Sequence, residues 1–214
     1  MIDFSLSSEQ KQLLEAAREF AAGEIKPIAA EADATGNIPE DVLIKAHKLG
    51  YTYTNIPKEY GGTGMNHIDH YIVTEAINYE CCAIGQMIGI SHLATGAIEI
   101  GGTEEQKKKF LGKMTESHKS ACFCLTEPEA GSDAARMLTV AEKKGDKYII
   151  NGSKCYITNG EFADLLCLFA TVDPDKGNKG ICCFAVPRDT PGISVGKVED
   201  KMGQRALNVV ELFF

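Results

Sequence analysis

The chain has no tryptophan and is short of positive charge: 22 lysines and arginines face 30 aspartates and glutamates in 214 residues, a formal net charge of −8. That deficit argues against a nucleic-acid partner, which would need a clustered basic surface to displace counterions from phosphates. No run of about 18 apolar residues is present to span a bilayer. The opening Met1-Ile2-Asp3-Phe4 has neither a charged-then-apolar signal nor an Arg/Ser-rich transit pattern, so no membrane association and a cytoplasmic location are expected. Metal-ligand spacing is missing too. His47, His67, His70, His92 and His118 form no H-E-x-x-H, and the eight cysteines, most of them inside apolar strand-like runs, form no C-x-x-C or zinc-like pattern. Free thiols in a reducing compartment and no metal site follow. There is no internal repeat and no low-complexity tail.

What is present divides in two. Residues 1–119 read as helical. Ser7 with Gln10 and Thr103 with Gln106 have the spacing of capping boxes, and Leu13, Leu14, Ala17, Phe20 and Ala21 recur at helical period. Pro39 fits the first turn of a helix that Gly50 ends. Ile56 to Gly64 is a Pro/Gly loop, after which helical spacing resumes to Ile100. From Phe110 to Met114 the apolar positions face inward, and the Lys107–Lys109 run reads as a solvated helix face. Beyond Ser120 the period changes to that of strands, with short apolar runs at 122–125, 139–143, 147–150, 154–158, 165–171, 181–186, 193–198 and 209–214 divided by Gly, Pro, Asn and Asp. The expected fold is α+β and multi-domain, a helical domain at 1–119 followed by an antiparallel β-sandwich or barrel at 120–214, with its last strand cut short at the terminus.

Two blocks in the β half carry the chemistry. In the first, Cys124-Leu125-Thr126-Glu127-Pro128-Glu129-Ala130-Gly131-Ser132-Asp133, an apolar run ends in a threonine and a Pro/Gly/Ser loop, which offers backbone N–H groups and hydroxyls at a strand mouth. In the second, Ile150-Asn151-Gly152-Ser153-Lys154-Cys155-Tyr156-Ile157-Thr158-Asn159-Gly160, the Asn-Gly pair has the form of a hairpin turn, and period-two alternation puts Tyr156 and Thr158 on one face. An aromatic plane beside a hydroxyl suits a flat heterocycle with a hydrogen-bonding edge. The same residues also suit an ordinary strand and its turn exit.

Together the two blocks resemble the signature segments of the acyl-CoA dehydrogenase flavoproteins, of the short-chain, butyryl-CoA dehydrogenase type. The likeness extends to Leu6–Gln10, Pro57–Gly64, Gly102–Lys107 and Gly196–Arg205. The resemblance implies a helical domain and a β domain without that family's C-terminal helical bundle. It also implies FAD as cofactor, held by Phe123, Cys124, Leu125, Thr126, Gly131 and Ser132 on one side and Tyr156, Ile157 and Thr158 on the other, with Ser132 also near the CoA moiety. The implied reaction is α,β-dehydrogenation of an acyl-CoA with hydride passing to flavin N5. Electron-transferring flavoprotein would be the acceptor. The implied assembly is a homo-oligomer, a tetramer or dimer, or a pairing with a complementary C-terminal polypeptide. The family's catalytic glutamate lies in the bundle, so no catalytic residue is assigned here, and Glu127 and Glu129 are left to the flavin loop. The chain alone is expected to be inactive. Leu207 stands where relatives commonly carry a small polar residue. Enoyl-CoA reduction, flavin monooxygenation, or a catalytically silent flavin- or partner-binding module are the alternatives on the same fold.

Overall fold

A computed structural model describes residues 5–214; the opening Met1–Phe4, read above for a targeting signal, lies outside the described residues. By contact density the chain divides into two units. One comprises residues up to His92 with Thr115–His118 and Lys201–Leu207; the other comprises Leu93–Met114, Lys119–Asp200 and Asn208–Phe214.

In the first unit, α1 (Ser8–Phe20) starts at the expected capping box: the Ser7 hydroxyl accepts from the Gln10 N–H at 3.2 Å, and the Gln10 side chain accepts from the Ser7 N–H at 3.1 Å. The helical path then runs on through a π turn and a 3-10 turn into α2 (Ala29–Thr35), ended by Gly36 at φ +72°. α3 (Glu40–Lys48) begins one residue after Pro39, which occupies the cap position rather than the first turn. α4 (His67–Glu80) and α5 (Cys82–Gly89) complete the set. Their inward stripes meet in one core that includes Phe20, Ile25, Val42, Val73, Ile77, Ile84, Ile88 and, from the far end of the sequence, Leu207. An apolar residue at position 207 therefore has a packing role that a small polar residue would not fill.

A polar chain crosses this apolar unit. His92 Nε2 lies 3.1 Å from the Thr52 carbonyl and 3.2 Å from the Thr54 hydroxyl, which is 2.7 Å from His70 Nδ1. A carbonyl only accepts, so Nε2 of His92 carries the proton and donates. Burial, then the neighbouring His70, pushes His92 down to about 4, with the bond to Thr52 acting the other way. A histidine depressed in this way contributes stability that is full above its ordinary value of 6.5 and is lost as the pH falls toward 4. An NMR titration should find the His92 ring still neutral at about pH 5. Titration near the ordinary histidine value would show that the ring is not held by this chain.

The second unit contains α6 (His92–Gly101) from Leu93 onward, the first three turns of α7 (Glu104–Thr115), and eight strands. Its expected capping box is present, the Gln106 N–H donating to the Thr103 hydroxyl and the Thr103 N–H to the Gln106 side chain. The strands are β1 (Ala121–Cys124), β2 (Val140–Lys144), β3 (Lys147–Asn151), β4 (Ser153–Thr158), β5 (Leu165–Thr171), β6 (Ile181–Pro187), β7 (Ser194–Val198) and β8 (Val209–Phe213). All eight expected runs are strands, but they form two open sheets. A five-stranded sheet has β5 between β1 and β6, with β2 and β3 beyond; a three-stranded sheet has the order β4-β8-β7. The smaller sheet is antiparallel, as expected. The larger is mixed, because β1 and β2 both run parallel to β5.

Asn151-Gly152 is not a hairpin turn. β3 pairs with β2 through the turn at Gly145 (φ +66°), whereas β4 pairs with β8, so Gly152 is the step from one sheet to the other. A side chain there would collide with Thr139, and the backbone groups of Gly152 bond to Phe214 in both directions. Close approach explains the glycine. Between the sheets lies an apolar core of Cys122, Cys124, Leu166 and Leu168 from one and Ile157, Val210 and Leu212 from the other.

Candidate functional site

The first block leaves β1 at Cys124. Leu125 and Thr126, both half-buried, lead to a tight turn in which the Glu127 N–H donates to the Ala130 carbonyl (3.0 Å) and the Ala130 N–H to the Glu127 carbonyl (3.2 Å). Pro128 and Glu129 form its tip, and Gly131, Ser132 and Asp133 continue as an exposed loop. The second block is β4, whose path is irregular: its register against β8 slips between Lys154 and Ile157, and Tyr156 sits at φ +56°. A bulge of this kind redirects a side chain. A bulky residue in the left-handed region costs roughly 1–3 kcal/mol and concentrates at functional positions. Tyr156 is 66 % exposed, Ile157 is buried and Thr158 is half-buried. The path from Tyr156 to Thr158 thus passes through a bulge rather than the regular strand from which alternation was expected.

Three bonds tie the blocks together. The Cys155 N–H donates to the Thr126 carbonyl at 2.9 Å. Lys154 Nζ donates to the Leu125 carbonyl at 2.9 Å and to Glu127 Oε1 at 2.7 Å. The Glu127 carboxylate also accepts from the Leu138 N–H at 2.5 Å and the Thr139 N–H at 3.0 Å. Both side chains are sealed from solvent, Lys154 at 0 % and Glu127 at 3 % exposure. Burial works against ionising Glu127, but the bonds from Lys154, Thr139 and Leu138 outweigh it and hold the carboxyl below its ordinary range. Burial lowers Lys154, and Glu127 opposes that. An ionised pair at this depth is conformationally demanding: it fixes one end of the loop relative to one register of β4.

The residues expected at the site separate by what their side chains do. On the two joined segments Thr126 and Thr158 are half-buried and Tyr156 is exposed. Cys124 and Ile157 point into the core between the sheets, and the Cys124 thiol lies 3.4 Å from that of Cys122. They have only backbone to offer a ligand. The Phe123 ring packs on Phe169, centroids 4.8 Å apart. Gly131 and Ser132 stand in the exposed loop, with backbone N–H groups and one hydroxyl available to an anion. An exposed aromatic plane, two threonine hydroxyls and a polar loop form a donor set that fits an isoalloxazine ring and a pyrophosphate.

The Lys154–Glu127 pair was not anticipated. Its signal was a lysine at an inward position of an otherwise apolar strand, which needs a buried carboxylate partner, and Glu127 was the acidic residue at the neighbouring strand exit. Among the described residues no cluster of three or more His, Cys, Asp or Glu could hold a metal ion, and no helix is long and apolar enough to cross a membrane.

Residues 7–118 match the family model "Acyl-CoA dehydrogenase, N-terminal domain" and residues 122–214 match "Acyl-CoA dehydrogenase, middle domain". The short-chain specific acyl-CoA dehydrogenase of Clostridium acetobutylicum is 41% identical over 214 residues, covering 100% of this chain and 56% of the relative. Butyryl-CoA dehydrogenase from Megasphaera elsdenii superposes with a TM-score of 0.92 at 35% identity, over 100% of this chain and 57% of that one. A chain from the structure described as "Electron transferring flavoprotein of Acidaminococcus fermentans: Towards a mechanism of flavin-based electron bifurcation" superposes with a TM-score of 0.93 at 36% identity, over 100% and 56% of the two chains. The chain thus spans about half the length of the relatives it matches.

Proposed function

Because the chain belongs to the acyl-CoA dehydrogenase family, we propose that it forms the FAD-holding portion of an enzyme that introduces a double bond between Cα and Cβ of a short acyl-CoA. The observation that supports this reading is the junction of the two blocks: Lys154 and Cys155 bind the backbone at Leu125 and Thr126, which ties the strand carrying Tyr156 and Thr158 to the segment carrying Thr126.

Bound FAD supplies the acceptor for a hydride leaving Cβ. The chain's own part is positioning. Tyr156 presents a ring face for stacking, Thr126 and Thr158 offer hydroxyls to the polar edge of the heterocycle, and the backbone N–H groups at Gly131 and Ser132 meet the pyrophosphate. Ser132 is also the candidate contact to the CoA moiety. A dehydrogenation of this kind needs a base at Cα held in line with the acceptor. We assign no residue of this chain to that role and place the base on a C-terminal segment or partner polypeptide. An electron-transferring flavoprotein is the proposed acceptor, a homo-oligomer the proposed assembly, and the cytoplasm the proposed location, to which the eight free cysteines lend support.

The test is reconstitution with FAD followed by anaerobic addition of butyryl-CoA. The chain should retain flavin through gel filtration, and the bound flavin should stay oxidised with substrate. Tyr156→Ala should weaken retention by about tenfold, the scale of one lost aromatic stack. A chain that folds but retains no flavin would refute the cofactor reading, and prompt bleaching by butyryl-CoA would show that the base is on this chain.

A further inference from the structure

One strand over from Phe123, two thiols on neighbouring strands stand in an arrangement suited to oxidation. β5 and β6 pair antiparallel, with Cys167 opposite Ala185 and Phe169 opposite Cys183. Cys167 and Cys183 are therefore diagonal neighbours, and alternation places them on one face of the sheet while Cys182 takes the other. Cys167 is fully buried, its thiol donating to the Ala94 carbonyl at 3.1 Å, whereas Cys183 is exposed. One cysteine is exposed and its diagonal neighbour is sealed. The nearness of the two thiols, with burial adding to it, pushes the Cys167 thiol up, and the same nearness lowers Cys183 against the opposing effect of partial desolvation. The proton stays on Cys167, and negative charge is favoured on the accessible partner. An exposed sulfur with thiolate character beside a second thiol is the pattern of a redox-sensitive pair.

We propose that Cys183 and Cys167 form a reversible disulfide in the presence of a hydroperoxide, making β6 a redox-responsive edge of the five-stranded sheet. The Cys183 thiolate attacks one peroxide oxygen. An S–O bond forms as the O–O bond breaks, and the displaced alkoxide or hydroxide takes a proton and leaves as alcohol or water. The Cys167 sulfur then attacks the sulfenic sulfur: the S–S bond forms, the S–O bond breaks, and hydroxide departs as water with the proton from Cys167. The two thiols lose two electrons and the hydroperoxide gains them. Diagonal neighbours stand about 7–8 Å apart at Cα, wider than the roughly 5.5–6 Å of a relaxed disulfide. The strands must tighten to close the bond, so the product is strained and readily reduced by a dithiol.

The test uses the reduced chain at neutral pH. Before oxidation, Cys183 should be alkylated by iodoacetamide several-fold faster than its neighbour Cys182. After a few equivalents of hydrogen peroxide, alkylation and proteolysis without reductant, mass spectrometry should find the Cys167 and Cys183 peptides cross-linked, and dithiothreitol should release them. Cys167→Ser should leave Cys183 as a sulfenic acid trapped by dimedone. If the wild-type chain yields no such cross-link, or if Cys182 reacts as fast as Cys183, the proposal is overturned. The wild-type peptide map decides the matter even if the buried serine variant does not fold.

Discussion

Replacing Lys154 by methionine is expected to destabilise the chain by about 3–5 kcal/mol, because it strands a buried carboxylate. Glu127 would keep the Leu138 and Thr139 N–H groups but lose the cation 2.7 Å away, at a position where its side chain is 3 % exposed. Water cannot take the place of the ammonium without opening the loop. The double variant Glu127→Gln, Lys154→Met should recover part of the loss, since no charge remains unpaired, although the single amide oxygen accepts from only one of the two N–H groups that now meet separate carboxylate oxygens. Urea denaturation of the single and double variants at pH 7 measures both effects. A Lys154→Met chain within about 1 kcal/mol of wild type would show that the pair does not hold the loop. The linkage to pH has a definite sign. Glu127 is depressed in the folded chain, so its contribution is present above its ordinary value of 4.5 and is lost as the pH falls through the folded value. Wild type should lose stability under acid over that range, and the double variant should lose less.

The parts of this molecule legible in its sequence are those governed by neighbours in the chain. Both capping boxes needed only a hydroxyl and an amide three residues apart, and the eight strands needed only short apolar runs between turn-formers. The two signature blocks were legible as a resemblance, and both family models match the chain. What could not be read depended on partners far along the chain. An Asn-Gly step between two strands favours a hairpin locally, but Gly152 lies against Thr139 and pairs with Phe214, and those contacts send β4 into the other sheet. The bulge at Tyr156 likewise goes with β4 serving two neighbours at once: its backbone meets Thr126, just past β1, at Cys155 and β8 on either side. The parallel pairing of β1 with β5 required three strands to intervene between them. Lys154 and Glu127 were visible as charges, yet their union is a tertiary event 27 residues apart.

A second large effect is expected at Leu212, where truncation to alanine should cost roughly 2–5 kcal/mol, the range for deleting a fully buried leucine. Leu212 is 0 % exposed on β8, the central strand of the smaller sheet, and pairs with Lys154 on one side and Val195 on the other. Its side chain belongs to the core between the sheets, against residues such as Cys122, Cys124 and Leu168. Strands bonded on both edges leave little freedom to collapse into the void, so the cost should fall in the upper part of that range. The same position links stability to the proposed chemistry. β4 is held to β8 at Lys154 and again at Ile157 and Thr158, and between these points it is bonded to Thr126 at Cys155. A cavity behind that strand loosens the junction without replacing any residue assigned to the flavin, although Cys124 and Ile157 line the same core. Leu212→Ala should therefore weaken FAD retention under conditions where the chain is still folded, whereas Leu212→Met, which nearly conserves volume, should cost less than about 1.5 kcal/mol and spare binding. Urea denaturation together with flavin titration of both variants separates the two effects. If Leu212→Ala loses stability yet binds FAD like wild type, the packing between the sheets supports the fold but does not set the geometry of the site.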